Sequence, residues 1–143
     1  MIVVGVDEQS YSLAALVRAG ELAKALKSPI HVVYAVHLSP HLLQAVGIAP
    51  IQIGAIEQAQ IDEVWTVAAP HVERLRNDGV EIHEHSIRGY PPDVLIDFAD
   101  EYGCDLAVVG SRGRSELAAF FLGSTAHRVL HFAHCDVLVV KET

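Results

Sequence analysis

Short, nearly continuous apolar runs alternate along this chain with longer stretches in which apolar residues recur every three or four positions. Ile2 to Val6 is a run of the first kind, the pattern of a strand covered on both faces. From about Ser10 to Lys27, Leu16, Ala19, Ala23 and Leu26 recur at helical spacing with Arg18 and Glu21 opposite, which predicts an amphipathic helix. Pro29 punctuates, and His31 to Val36 predicts a second strand. Between Glu57 and Leu75 a helical stripe holds Ile61, Val64, Trp65, Ala68, Val72 and Leu75. Pro70 is expected to kink or split that helix, and Gly79 to take the left-handed position after its end. Val80 to Ile87 carries Glu81, His83, Glu84 and His85 and reads as a strand at a sheet edge, where polar side chains discourage pairing with other molecules. A helix from about Pro92 to Tyr102 has Val94, Leu95, Phe98, Ala99 and Tyr102 on one face, Asp93, Asp97 and Asp100 on the other, and Gly103 as its stop. Asp105 to Gly110 predicts a fourth strand, and Asp136 to Val140 a fifth. Between them a last helix, from about Ser124 to His134, packs through Ala126, Val129, Leu130 and Ala133.

This alternation predicts an α/β fold: one domain over residues 1–143, an open parallel five-stranded sheet with helices on both faces, joined by right-handed crossovers. No internal repeat or linker interrupts it. The stretch from Leu38-Ser39-Pro40 through Ile56 is apolar but punctuated by Pro and Gly, and reads as a variable crossover, a lid or a dimer contact.

Composition narrows the function. Of 143 residues, 51% are hydrophobic and 20% charged, a globular balance, and no apolar run approaches the roughly 18 residues that cross a bilayer. Met1-Ile2-Val3-Val4-Gly5 has neither a basic segment nor a small-residue cleavage site, which argues against a signal peptide and for a cytoplasmic protein. With 10 Lys+Arg against 18 Asp+Glu the net charge is -8, so nucleic acid is a poor partner, and any anionic ligand needs backbone N–H groups or a metal ion. Cys104 and Cys135 lack CxxC spacing and read as buried free thiols.

Ligands of open parallel sheets bind beyond the carboxyl ends of the strands, where strand order reverses. Here the first strand ends in Val6-Asp7 and the fourth in Val109-Gly110-Ser111-Arg112-Gly113, with Gly123-Ser124-Thr125 opening the last helix. Gly110 and Gly113 permit positive φ and lack Cβ, which lets backbone N–H groups approach an anion. The helix start at Gly123 offers unpaired N–H groups and the positive end of its dipole, with Ser124 and Thr125 hydroxyls as further donors. At roughly 0.3 to 2 kcal/mol each, several such contacts reach the roughly 8 kcal/mol of micromolar binding. Arg112 and Arg114 add positive charge. The same residues also make a glycine-dense turn and a capped helix with no ligand at all. Neither GxxxxGK[ST] nor a GxGxxG after the first strand is present, which argues against a P-loop and a dinucleotide site.

Gly110-x-x-Gly113, nine residues, then Gly123-Ser124-Thr125 resembles the ATP-binding motif G-2X-G-9X-G-[S/T] of the universal stress protein family. The resemblance extends to Ile2-Val3-Val4-Gly5-Val6-Asp7, to the turn Gly89-Tyr90-Pro91, to residues 104–115 and to Val137-Leu138-Val139-Val140. It implies strand order 3-2-1-4-5 and a homodimer paired through the last strand. It further implies Asp7 near base or ribose, the backbone at Ala35 and Val36 bordering adenine, Gly110 and Gly113 at ribose and phosphates, and Gly123, Ser124 and Thr125 on the phosphates, with Mg or Mn as a companion ion. Two departures stand out. Asp7-Glu8-Gln9 replaces the family's Asp-Gly-Ser, moving the expected helix cap to Ser10 and bringing the charge of Glu8 toward the phosphates, and Cys135-Asp136-Val137 replaces Cys-Pro-Val.

The resemblance implies an ATP-binding regulatory module of stress response, read by protein partners. A slow ATPase, nucleotidyl transferase or phosphotransferase using the same pocket is the rival, weakened because no lysine lies in the loop and no acid–base pair is evident beyond Asp7 and Glu8. A ligand-free interaction protein is the third reading, opposed by the intact motif. Elsewhere, His127, His131 and His134 share a helix face as a solvent surface or a zinc or nickel chelate, while His83 and His85 are expected on an exposed edge.

Overall fold

Strands β1 (Ile2–Val6), β2 (Ile30–Val36), β3 (Ile82–Arg88), β4 (Leu106–Ser111) and β5 (Asp136–Lys141) form one parallel sheet in the order β3-β2-β1-β4-β5. The computed structural model describes residues 1–38, 40–45, 47, 50–111 and 122–142. Arg112, Gly113 and Arg114 lie outside the described residues, as do Ser39, Val46, Ile48 and Ala49 in the crossover after β2.

Among the described residues five helices connect the strands: α1 (Ser10–Leu26), α2 (Pro40–Ala45), α3 (Pro50–Asn77), α4 (Pro91–Tyr102) and α5 (Ser124–Phe132). Because strand side chains alternate, Ile2, Val4, Val6, Ile30 and Val32 face α1 and α3, whereas Val3, Val33, Ala107 and Val109 face α4 and α5. Two cores result, one on each side of the sheet. The edge position of β3 follows from its polar alternation: Ser86 accepts from Trp65 Nε1 at 2.8 Å, Arg76 reaches the Ile82 carbonyl at 3.1 Å, and Arg88 pairs with Glu57 at 2.8 Å.

Three expectations change. Pro70 does not split the second stripe: α3 continues for 28 residues through it. Proline leaves the Thr66 carbonyl without its helical donor, but Pro70 is exposed, so water can serve that carbonyl. The same helix begins at Pro50, so much of the stretch read as a punctuated crossover is helical. Proline is tolerated in a first turn, and exposed Gly54 costs only about 1 kcal/mol. Leu130, assigned to the packing face of α5, is 51% exposed, and that helix packs through buried Ala126 and Val129. The left-handed position expected at Gly79 is present, with φ of 89°, and Gly103, the expected stop of α4, is its C-cap with φ of 63°.

Candidate functional site

The ladder between β1 and β4 has three register pairs, ending at Val4 and Val108, while β1–β2 pairing runs on to Val6 and β4–β5 pairing to Ser111. The two central strands therefore part at their carboxyl ends, where strand order reverses. Into that gap opens a hollow of about 510 Å³ of atom-free space, part of it open to solvent, lined by Gly5, Val6, Asp7, Ala35, Pro91, Leu95, Val109, Gly110 and Thr125 among others. A second hollow of about 690 Å³ adjoins it across Asp7, Ala35 and Pro91, and is bounded by Glu8, Tyr34, His37, Gln60 and Glu63.

Of the residues singled out from the sequence, Asp7, Ala35, Gly110 and Thr125 converge on the first hollow. Gly123 and Ser124 stand at the start of α5 beside Thr125, with Ser124 exposed. Val36 does not line either hollow: its side chain is buried with the α1 and α3 core, and its carbonyl accepts the Gly89 N–H at 3.1 Å. Arg112 and Gly113 fall outside the described residues.

Two glycines serve different physical ends. Gly123 is the N-cap of α5 with φ 94°, a conformation that favours glycine. Its first-turn N–H groups and the dipole's positive end stand beside Thr125, with no side-chain cap among the described residues. Gly110, at the end of the expected fourth strand, lies within β4 and does not use the positive φ that glycine permits. The space left by its missing Cβ is taken by α1: a methyl there would press on the Tyr11 carbonyl oxygen and lie 2.8 Å from the carbonyl carbon.

The turn from β1 to α1 is built by Asp7 together with Ser12, a residue that carried no role in the sequence analysis. Asp7 Oδ1 accepts the Gln9 N–H at 2.7 Å, and the buried Ser12 hydroxyl accepts the Asp7 N–H at 3.0 Å while facing the carbonyls of Asp7 and Gln9 at 3.1 and 2.9 Å. Ser10, the expected cap, is the first helical residue, and the N-cap is Gln9 without a side-chain hydrogen bond. Local Asp and Ser bonding satisfies this turn, so a hydroxyl at Ser10 is not required.

Electrostatically the walls are acidic. Asp7, Glu8 and Glu63 border the second hollow, and among the described residues no lysine or arginine lines either space. The Tyr34 hydroxyl is pushed above its ordinary pKa, chiefly by burial and then by the charges of Glu8, Asp7 and Glu63. Tyr34 donates to Gln60 Oε1 at 3.4 Å, tying β2 to α3 at the mouth. These carboxylates are hard oxygen donors, the type that Mg or Mn accepts.

The remaining candidates lie elsewhere. His127 and His131 are exposed on α5 with rings 4.6 Å apart, and His134 follows the helix end and pairs with Asp100 at 3.1 Å. No group of three or more metal-ligating side chains is assembled among the described residues. Cys104 is buried and Cys135 half-buried, both free thiols. His83 is exposed as expected, but His85 is half-buried against His31. No helix among the described residues is long and apolar enough to cross a membrane.

Residues 1–141 match the family model described as "Universal stress protein family". A universal stress protein of Methanocaldococcus jannaschii is 32% identical over 142 residues, covering 99% of this chain and 81% of that protein. Among solved structures, a universal stress protein in complex with cAMP superposes with a TM-score of 0.72 at 28% identity, covering 97% of this chain and 94% of that one. The Archaeoglobus fulgidus universal stress protein in complex with dAMP gives a TM-score of 0.69 at 26% identity, over 98% and 96%.

Proposed function

Since this chain belongs to the universal stress protein family, we propose that the hollow between the parted ends of β1 and β4 binds an adenine nucleotide, with ATP as the physiological ligand, and that occupancy is a regulatory signal in stress response. The observation that carries this reading is the start of α5 at Gly123, which places the first-turn N–H groups of that helix beside Thr125 on the wall of that hollow. The cAMP and dAMP complexes of similar proteins support an adenine nucleotide as the ligand class.

In this proposal Gly123, Ser124 and Thr125 hold the phosphates, Ala35 borders the base, and Asp7 lies toward the ribose. Gly113 and Arg112 supply the remaining loop amides and positive charge, on the strength of the motif spacing. Because the walls carry Asp7, Glu8 and Glu63, a divalent Mg or Mn ion on the phosphates offsets like-charge repulsion. Pairing of two chains through the edge strand β5 and a cytoplasmic setting belong to the same proposal.

The test is calorimetric titration of the full chain with ATP, ADP, AMP and cAMP, with and without MgCl2, alongside a phosphate-release assay. Micromolar binding of ATP with negligible turnover supports the module. Rapid phosphate release makes the protein an enzyme, and the absence of binding to every nucleotide ends the proposal.

A further inference from the structure

Toward the amino-terminal ends of β2 and β3, away from the carboxyl ends where the hollow opens, three histidines meet on the sheet face covered by α4. His31 and His83 are register partners on neighbouring strands, and His85 lies two residues on, along the same face. His31 is only 7% exposed. Its ring stacks on His83 at 5.1 Å and lies 5.2 Å from His85, 5.3 Å from Phe98 and 5.4 Å from Tyr102. His31 Nδ1 and His85 Nε2 share one hydrogen bond of 3.0 Å.

We propose that the His31–His85 pair is a proton-operated clasp: the neutral imidazoles help hold the edge strand β3 to β2, and protonation of both rings releases that edge. A 3.0 Å contact between ring nitrogens needs one N–H and one lone pair. When both rings are charged, an N–H faces an N–H and two positive charges adjoin, in a setting that aromatic side chains shield from water. The strand it secures has a single neighbour in the sheet, so the loss of one interstrand contact is felt there first.

The groups facing the pair mostly oppose its charging. From β3 comes the His83 imidazole, whose Nε2 is 2.8 Å from Glu81. The amino group of Met1, paired with Asp105, adds positive charge near His31. From α4 come the rings of Phe98 and Tyr102, while its acids Asp97, Asp100 and Glu101 are solvent-exposed. Glu81 alone favours the charged form of His31, and it acts last. Burial, first, and the neighbouring imidazoles then hold both His31 and His85 below the ordinary histidine pKa. The sign follows. A base with a depressed folded-state pKa leaves stability complete above the unfolded value of about 6.5, and stability is lost progressively as pH falls below it.

The experiment is NMR on the labelled full chain, following histidine ring titration and amide exchange at pH 7.5, 6.5 and 5.5, corrected for intrinsic rates. Both imidazoles are expected to titrate below 6.5. Protection of β3 amides is expected to fall more steeply than that of the central strands β1 and β4, by up to about tenfold per pH unit for each imidazole. In His85→Gln, which keeps a donor and an acceptor without titrating, that slope should be roughly halved. The clasp is overturned if His31 or His85 titrates at or above 6.5, if β3 protection tracks that of β1 and β4 at every pH, or if the slope is unchanged in His85→Gln. Should that variant not fold, the wild-type titration and the strand comparison decide alone.

Discussion

Gly110→Ala isolates the packing that shapes the wall of the hollow between β1 and β4. A Cβ at this position would press on the Tyr11 carbonyl oxygen and stand 2.8 Å from the carbonyl carbon and 2.9 Å from Cδ2 of the same residue. At Gly5 the obstacle would be Leu95 Cδ1 at 2.7 Å, the end of a side chain that can turn, but at Gly110 it is backbone. That backbone lies in the first turn of α1, directly after a lead-in at Asp7 and Gln9 that is bonded by the Ser12 hydroxyl and the Asp7 side chain. Overpacking of this kind costs about 1 to 3 kcal/mol. With a urea slope of about 2 kcal/mol/M, the unfolding midpoint should drop by about 0.5 to 1.5 M with the slope unchanged. Any relief must come from movement of the β4 end or of the turn after β1, both of which line the hollow, so nucleotide affinity should fall with stability. Gly54→Ala is the matched control: nothing lies within 4 Å of its added methyl in the helix α3, and the same assay should show a gain of up to about 1 kcal/mol. A midpoint for Gly110→Ala indistinguishable from the parent refutes the reasoning. A stable variant that has lost nucleotide binding assigns the glycine to the ligand rather than to Tyr11.

Four further outcomes follow, three from the structure and one from the spacing of the motif. Arg88→Ala strips the partner from Glu57, whose side chain is 12% exposed, and should cost about 1 to 2 kcal/mol in urea unfolding. Lys24→Ala, at the exposed 3.7 Å pair with Asp78, should cost less than about 0.5 kcal/mol, and equal losses at the two sites would contradict the assignment. Burial is the chief influence raising the thiols of Cys104 and Cys135, so maleimide labelling at pH 7.5 should be far slower than for a free thiol and should recover fully in denaturant, Cys104 being the slower. Gly113→Val puts a branched side chain into the motif's loop and should abolish calorimetric ATP binding while leaving circular dichroism and the unfolding midpoint unchanged; retained affinity removes that loop from the site.

Most of the fold was legible because its signals are local. The doubly covered strands announce themselves as unbroken apolar runs, and the stripe of Val64, Ala68 and Val72 that α3 buries repeats at the helical period. The reading failed where a local rule is conditional on exposure. Pro70 and Gly54 are breakers in principle, yet on a solvent face their cost is small enough for the rest of α3 to outweigh it. Leu130 failed in the opposite sense, since helical spacing marks a face but not how much of it the neighbouring elements cover.

At the site the division is the same. The amino-acid sequence by itself determined the alternation of elements, the family motif, the glycine at the head of α5 and the net negative charge that leaves an anionic ligand to local donors or a metal ion. Only the tertiary structure decided which residues meet. It brought Asp7, Ala35, Gly110 and Thr125 to one hollow, turned Val36 into the opposite core, and fitted Gly110 against Tyr11. It also joined His31 to His85 across 54 positions of chain. The reason is physical: periodicity and capping act over a few residues, whereas register, strand parting and burial are set by sheet partners that lie far apart in sequence.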